Sequence, residues 1–459
     1  MKNKIYLLLA LCGFLTETVF ATITVSTIFN DHMVLQRNDK VMIWGWGDLN
    51  EAVSITTSWN NRTYTTKVPL STKWQVLIDT PDAGGPYTIS IKGASNEIEL
   101  DDLLIGEVWL CSGQSNMEWS AANGIDDADA EIQAANHPDI RFFTVHKRTS
   151  ENEQDHVYGK WEACTPEAMR TFSATAYFFA RRLQAELKVP IGLVDTAWGA
   201  TSAEVWTPTS VFDANGYLKK QAEKLNENIW APITPSILYN AMIHPIHHFK
   251  IAGALWYQGE SNVANATSYQ ELFSSMITEW RQRWGYDFPF YYVQIAPFNY
   301  DTPENGAVVR DEQRRTLSLP NTGMVVVSDI CTVDDIHPTN KQDVGLRLAN
   351  LALKKNYGVF DGTVSGPLFK EFKISGQQVE VFFEHSEGLY ASEKTLDHFE
   401  LAGADDIFHP AKAHIKNDKV LLSSKMVKSP KRIRYAWSNT ALANLFNRSG
   451  LPASCFISD

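Results

Sequence analysis

Hydrophobic and polar positions change their period twice along this 459-residue chain. Between residues 22 and 100 short β-favouring runs dominate: Val41–Trp46, Ala52–Trp59, Thr63–Val68, Trp74–Ile78 and Tyr87–Lys92. Turn-forming stretches such as Trp59-Asn60-Asn61 and Asp82-Ala83-Gly84-Gly85-Pro86 separate them, and no helical period intervenes. This section predicts a β-sandwich. From residue 101 strands alternate with helices. Apolar runs at Leu103–Leu110, Ile191–Trp198, Ile251–Tyr257, Phe290–Ile295 and Met324–Ser328 predict strands. Ser173 is placed to cap a helix in which Phe179, Leu183 and Leu187 recur every four residues. A second helix carries Tyr269, Leu272, Phe273, Met276, Ile277, Trp280 and Trp284, then stops at Gly285. Alternation of this kind predicts a parallel sheet covered on both faces, with ligands bound beyond the carboxyl ends of its strands. After Gly358 the helical period disappears, and Phe372–Ile374, Val379–Phe383, Phe399–Ala402, Val420–Ser423 and Ile433–Trp437 predict short strands. The expected organisation is a leader at 1–21, a β-sandwich-like domain at 22–100, an α/β domain at 101–357 and a β-rich region at 358–459.

Composition and charge narrow the setting. Lys2 and Lys4, the apolar stretch Ile5–Leu15 and the sequence Val19-Phe20-Ala21 have the form of a cleavable secretory signal. The apolar stretch falls short of the ~20 residues that span a bilayer. Leu11 stands before Cys12 where a lipoprotein signal has a small residue, so no membrane anchor is expected. The expected location is secreted or periplasmic. A net charge of −12 with no basic run excludes nucleic acid as a partner. Cys111, Cys164, Cys331 and Cys455 are widely spaced and form no Cys-x-x-Cys pair. In an exported chain they serve as disulfides or as buried free thiols. His244, His247 and His248 cluster, but no acid or cysteine stands near them at a metal-binding spacing. A structural role is expected for them, with no metal and no cofactor.

Four segments each follow a predicted strand of the α/β section. They are Gly113-Gln114-Ser115-Asn116-Met117, Trp198-Gly199-Ala200-Thr201, Trp256-Tyr257-Gln258-Gly259-Glu260-Ser261-Asn262 and Asp334-Asp335-Ile336-His337-Pro338. Parallel strands bring all four to one rim of the sheet. Ser115 taken alone competes with a plain helix N-cap, and Met117 breaks the Gly-x-Ser-x-Gly elbow of α/β-hydrolases. A serine nucleophile needs a base within hydrogen-bond reach. His337 fits that need, since its imidazole can take the serine proton and return it to a leaving alcohol. Asp334 is the first candidate for the carboxylate behind the imidazole, in an Asp-x-x-His arrangement, with Asp329 and Asp335 as competitors. The Ser115 and Gly199 backbone N–H groups, with an amide from Gln258 or Asn262, are candidate oxyanion donors. Losing one such donor typically costs ~2.7–4 kcal/mol of transition-state stabilisation. Trp198, Trp206, Trp256 and Tyr257 suit sugar stacking or core packing equally.

These blocks resemble the sialate O-acetylesterase family of the SGNH hydrolase superfamily. The resemblance rests on Gly-Gln-Ser-Asn-Met at 113–117, Trp-Tyr-Gln-Gly-Glu-Ser-Asn at 256–262 and Ile-His-Pro-x-x-Lys-Gln at 336–342. It extends to Asn30–Arg37 near one end and to Arg434–Trp437, Ala443–Asn447 and Gly450–Pro452 near the other. The second block departs from the family's Gly-Gly-Thr, reading Gly199-Ala200-Thr201 here. The resemblance implies a three-layer α/β/α core with accessory β modules and no metal requirement. It implies a secreted serine esterase that removes O-acetyl groups from sialic acid, with an O-acetylated carbohydrate as its partner. An acetylesterase for plant polysaccharides such as acetylated xylan would carry the same catalytic blocks. A non-catalytic glycan-binding protein is the alternative of a different class, and the joint presence of Ser115 and His337 argues against it.

Overall fold

One long strand joins two kinds of architecture. In the computed structural model, which describes residues 22–225 and 227–458, the strand β1 (Glu97–Gly113) runs unbroken for 17 residues. The predicted leader at 1–21 lies outside the described residues. The first half of β1 pairs antiparallel with Gly84–Lys92, and Val34–Gln36 lies parallel to its middle. Its second half is the centre of a parallel sheet. The change of pattern at residue 101 therefore falls inside a continuous strand, because both halves of β1 are hydrogen-bonded within one eleven-stranded sheet.

The other strands of the parallel portion are β2 (His137–Thr144), β3 (Trp161–Cys164), β4 (Ile191–Asp195), β5 (Gly253–Tyr257), β6 (Phe290–Val293) and β7 (Thr322–Val325). Their spatial order is β3-β2-β4-β1-β5-β6-β7. All are parallel to β1 except β3, which lies antiparallel on the edge. The fold is thus α/β with a mixed sheet, and the antiparallel edge corrects the purely parallel expectation. Strands β2 and β3 have Pro138, Asp139, Arg141 and Glu162 set among their apolar residues, so no continuous apolar run announces them.

Side chains along each strand alternate between two cores. Val108, Leu110, Ala254, Trp256, Phe290, Tyr292, Met324 and Val326 face one of them. Trp109, Cys111, Leu255, Tyr257, Tyr291, Val293, Val325 and Val327 face the other. The period of two is apolar on both sides, as a sheet covered by helices requires. The short helix α1 (Ser115–Glu118) follows β1 directly. Helix α2 (Ala174–Leu187), capped by the Ser173 hydroxyl accepting from the Ala176 N–H, covers the second face with α5 (Lys341–Lys355). Helix α3 (Tyr269–Trp284), closed by left-handed Gly285, covers the first. Between α3 and α5, α4 (Asn305–Arg315) lends Ala307 to a third core, built by the C-terminal strands around Val379, Val381, Leu401, Val420, Ile433 and Phe456.

Strands β4 and β5 lie on opposite sides of β1, so the chain reverses its direction of travel at the end of β1. That reversal leaves a crevice just beyond Gly113. Gly113 has φ +136, and a Cβ there would fall 2.3 Å from the Tyr257 carbonyl oxygen, so only glycine lets the chain leave the sheet at this point.

Gly345 performs a comparable service where α5 crosses α2. Alanine there gains about 1 kcal/mol of helix propensity in an open helix. Its Cβ, however, would fall 2.6 Å from Phe178 Cβ and 2.8 Å from the Thr175 carbonyl oxygen. Overpacking typically costs ~1–3 kcal/mol, so Gly345→Ala should lower the urea midpoint. An equal or higher midpoint would mean that the two helices separate freely.

Candidate active site

The four segments expected at one rim meet there. Gln114 and Ser115, Trp198 to Ala200, Glu260 with Ser261, and Ile336 with His337 line one cavity of about 360 Å³, together with Glu118, Trp119, Lys147 and Trp230. Ser115 opens α1, and its Oγ lies 2.8 Å from His337 Nε2. His337 stands in the loop between β7 and α5. Its ring lies flat on Trp119, with centroids 4.0 Å apart and planes 14° from parallel. Trp119 is held in turn by its indole N–H, which donates to the Gly124 carbonyl at 2.8 Å. The imidazole is therefore oriented by an aromatic face on one side and the serine hydroxyl at its tip.

The acid behind the imidazole departs from expectation. Asp334 is exposed, and among the described residues it makes no hydrogen bond to His337. Asp329 is taken by Arg347, with two contacts of 2.7 and 2.6 Å. Asp335 accepts the backbone N–H of His337 at 2.8 Å, which shapes the loop rather than holding the ring. Burial first, then the Lys341 charge, hold the His337 pKa below its ordinary 6.5, while the Asp335 charge pulls it up. The imidazole is consequently neutral, and able to accept a proton, at neutral pH.

The expected oxyanion donors also sort differently. Gly199 lies against Ser115, since a Cβ on it would sit 3.4 Å from Ser115 Cβ. Its N–H, however, donates to Glu118 Oε2 at 2.6 Å, and Glu118 is paired with Lys147. Gln258 and Asn262, expected at the cavity, are fully buried behind it. Gln258 Nε2 donates to Asn262 Oδ1 at 2.7 Å and to the Thr201 carbonyl at 3.2 Å. Asn262 Nδ2 donates to Glu204 Oε2 at 2.9 Å, and its Oδ1 accepts the Ala203 N–H at 2.9 Å. Every polar atom of these two amides is spent on joining loops, so a substrate role for either is withdrawn. Gln114 was overlooked. Its Oε1 accepts the N–H groups of Gly259 and Ser261 at 3.3 and 3.2 Å, which fixes an amide that lines the cavity. Ala200, where the family places glycine, adopts φ +60, the left-handed conformation that glycine reaches without strain.

A buried brace ties the serine, glutamate and histidine loops together. Lys341 Nζ donates to Asn116 Oδ1 at 2.5 Å. Asn116 Nδ2 donates to Glu260 Oε1 at 2.6 Å and to the Ile336 carbonyl at 2.9 Å. Lys341 and Asn116 are fully enclosed. Burial presses the Lys341 pKa down to about 7 and lifts that of Glu260, while each charge favours ionisation of the other. The motif residues Asn116, Glu260 and Lys341 are thus structural polar groups, although the sequence marks only their spacing.

The remaining candidates are accounted for by packing. Trp206, Trp256 and Tyr257 belong to the cores, whereas Trp198 reaches the cavity. His244 lies 3.2 Å from Glu153, and the rings of His247 and His248 pack 3.8 Å apart, with burial lowering the His247 pKa to about 4. The four described cysteines are free thiols, three of them buried.

Known proteins resemble this chain in sequence and in fold. The model of a family described as carbohydrate esterase, sialic acid-specific acetylesterase, matches residues 105–354. Mouse sialate O-acetylesterase is 28% identical, over 94% of this chain and 93% of the mouse protein. The human protein of the same name is 29% identical, over 83% of this chain and 80% of its own length. In three dimensions the chain is similar to a carbohydrate acetylesterase from Xanthomonas citri, with a TM-score of 0.86 and 37% identity, covering 95% of this chain and all of that one.

The brace predicts a stability effect. Lys341→Met leaves the Glu260 carboxyl and Asn116 Oδ1 buried without the cation, and breaking a buried charge network typically costs about 3–5 kcal/mol. The denaturant midpoint should fall accordingly. Adding Glu260→Gln should cost less than the sum of the two single changes, because the residues share a partner. Strict additivity would contradict a shared brace.

Proposed function

The chain belongs to the carbohydrate esterase family of sialic acid-specific acetylesterases, and on that premise we propose that it is a serine O-acetylesterase working through an acyl-enzyme. The observation that carries the reading is the 2.8 Å hydrogen bond between Ser115 Oγ and His337 Nε2 in an open cavity. Ser115 attacks the acetyl carbonyl while His337 takes its proton. The tetrahedral intermediate collapses as His337 returns the proton to the sugar oxygen, and water then releases acetate by the reverse proton path. The Ser115 backbone N–H and the Gln114 amide are the donors open to the oxyanion, and Gly199 joins them when Glu118 lets go of its N–H. Trp119 keeps the imidazole plane aligned and offers its π face to the transient imidazolium, a contact worth roughly 0.5–2 kcal/mol. The order of the strands, with Ser115 after the central one and His337 after the last, supports an SGNH-type core. The charged start at Lys2 and Lys4 followed by the apolar stretch Ile5–Leu15 supports export.

The substrate proposed first is O-acetylated sialic acid, the substrate class named for the mouse and human relatives. A second reading, an acetylated neutral polysaccharide such as xylan, calls for the same catalytic residues, and the likeness to the Xanthomonas carbohydrate acetylesterase suits either sugar. The non-catalytic reading stays disfavoured, since a binding protein has no use for a histidine-activated serine.

Acetate release from O-acetylated sialic acid and from acetylated xylan, measured side by side, should show activity that Ser115→Ala abolishes. Undiminished turnover in the purified variant would sink the mechanism. The acid limb of kcat/KM should have its midpoint below 6.5, because His337 must be neutral to act and its pKa is lowered. Asp335→Asn removes a charge that favours the imidazolium, so the limb should move to still lower pH. A limb that moves upward would assign the titration to another group.

A further inference from the structure

Three tryptophans line the cavity, and two of them already have ring faces in use. Trp119 gives a face to His337 at 4.0 Å, and the Lys147 ammonium stands 5.5 Å from the centre of the Trp198 ring. Trp230 is different. It is 77% exposed, its neighbour Ile229 is 91% exposed, and among the described residues no ring or cation covers it. An exposed tryptophan beside an exposed isoleucine, at the mouth of a cavity, is an unusual use of large apolar surface. The segment is not loosely attached. The Trp230 N–H donates to Asn228 Oδ1 at 2.9 Å, and Asn228 Nδ2 donates to the Ala200 carbonyl at 3.4 Å. Asn228 thus couples Trp230 to the turn that holds Gly199 against Ser115.

The chemistry of the ester says what belongs on this surface. An acetyl carbonyl placed at Ser115 Oγ is separated from the sugar ring, or from the short side chain of the sugar, by a single ester oxygen. The sugar must therefore share the cavity with the acetyl group. Pyranose rings present a face of C–H groups, which suits an indole, while their hydroxyls stay in water. From this we infer that Trp230 is the stacking platform of a sugar subsite, recognising the pyranose ring that carries the ester. The inference rests on the carbohydrate esterase reading and adds to it the residue that selects a sugar ester over other acetyl esters. Glu118 and Lys147 line the same cavity and neutralise each other, so the platform works through apolar contact rather than net charge.

The test compares Trp230→Ala and Trp230→Phe on acetylated sugars and on 4-nitrophenyl acetate, which has no pyranose. Trp230→Ala should raise KM for the sugar esters about five- to tenfold. It should lower kcat/KM for 4-nitrophenyl acetate by a clearly smaller factor, and Trp230→Phe should recover most of the sugar loss. Equal proportional losses on all esters, or no change in KM, would overturn the assignment. A second measurement does not depend on catalysis. Saturation transfer from Ser115→Ala protein to the ring protons of the unacetylated sugars should be seen, and should vanish when Trp230→Ala is added. Transfer that survives the second change would overturn the subsite. Failure of wild-type acetate release with transfer intact would instead count against the esterase reading alone. Running O-acetylated sialic acid and acetylated xylo-oligosaccharide as separate arms shows which pyranose the platform prefers.

Discussion

The fully enclosed ammonium of Lys341 is the constraint on which the rest of the site depends. A buried ammonium carries a desolvation cost of several kcal/mol and persists only where hydrogen bonds and an opposite charge offset it. Here the offset comes from Asn116 and, through it, from Glu260. These residues come from the serine, glutamate and histidine loops, up to 225 positions apart in sequence. The same asparagine also holds the Ile336 carbonyl, one residue before His337. The brace therefore sets the separation between Ser115 and His337 without touching the Ser115 hydroxyl or the His337 ring. Its ammonium is also one cause of the lowered His337 pKa, so position and proton affinity are adjusted by one group.

The brace works because the sheet delivers its parts to one place. Strands β4 and β5 flank β1, and Gly113 lets the chain turn out of the sheet at the reversal. Helix α5, which begins at Lys341, is drawn onto α2 through Gly345. Stability of the α2–α5 contact and geometry of the active site are thus linked through a single helix. The imidazole is positioned by stacking on Trp119 instead of by a carboxylate hydrogen bond. In place of fixed ion pairing, the histidine has a polarisable face that tolerates both of its charge states.

Much of this was legible in the sequence, for identifiable reasons. Helix α3 was readable to its last residue because its apolar stripe ends at a glycine that takes the left-handed conformation. The apolar centres of β1, β4, β5, β6 and β7 announced themselves, although β1 proved far longer than its apolar run, since its first half is an alternating strand of the β layer. Strands β2 and β3 were hidden by one proline, Pro138, and by charges tolerated near a sheet edge. Ser115 and His337 stood out because reactive side chains followed predicted strands. Gln258 and Asn262 were misplaced because a strand end fixes where a loop starts, not which of its amides turns inward. Asp334 was misjudged because spacing to a histidine does not show which way a carboxylate points. Trp119 and Lys341 owe their places at the site to contacts with distant segments, and no local pattern signals those.

In the mechanism proposed above, Ser115 carries the acetyl group between the sugar and water. Acid-quenching the enzyme during turnover of an acetylated substrate and mapping its peptides by mass spectrometry tests this directly. An acetyl adduct on Ser115 is expected, in a larger fraction wherever deacylation is slowed. Acetate released in full with no adduct at any time point, or an adduct on another residue, would contradict it.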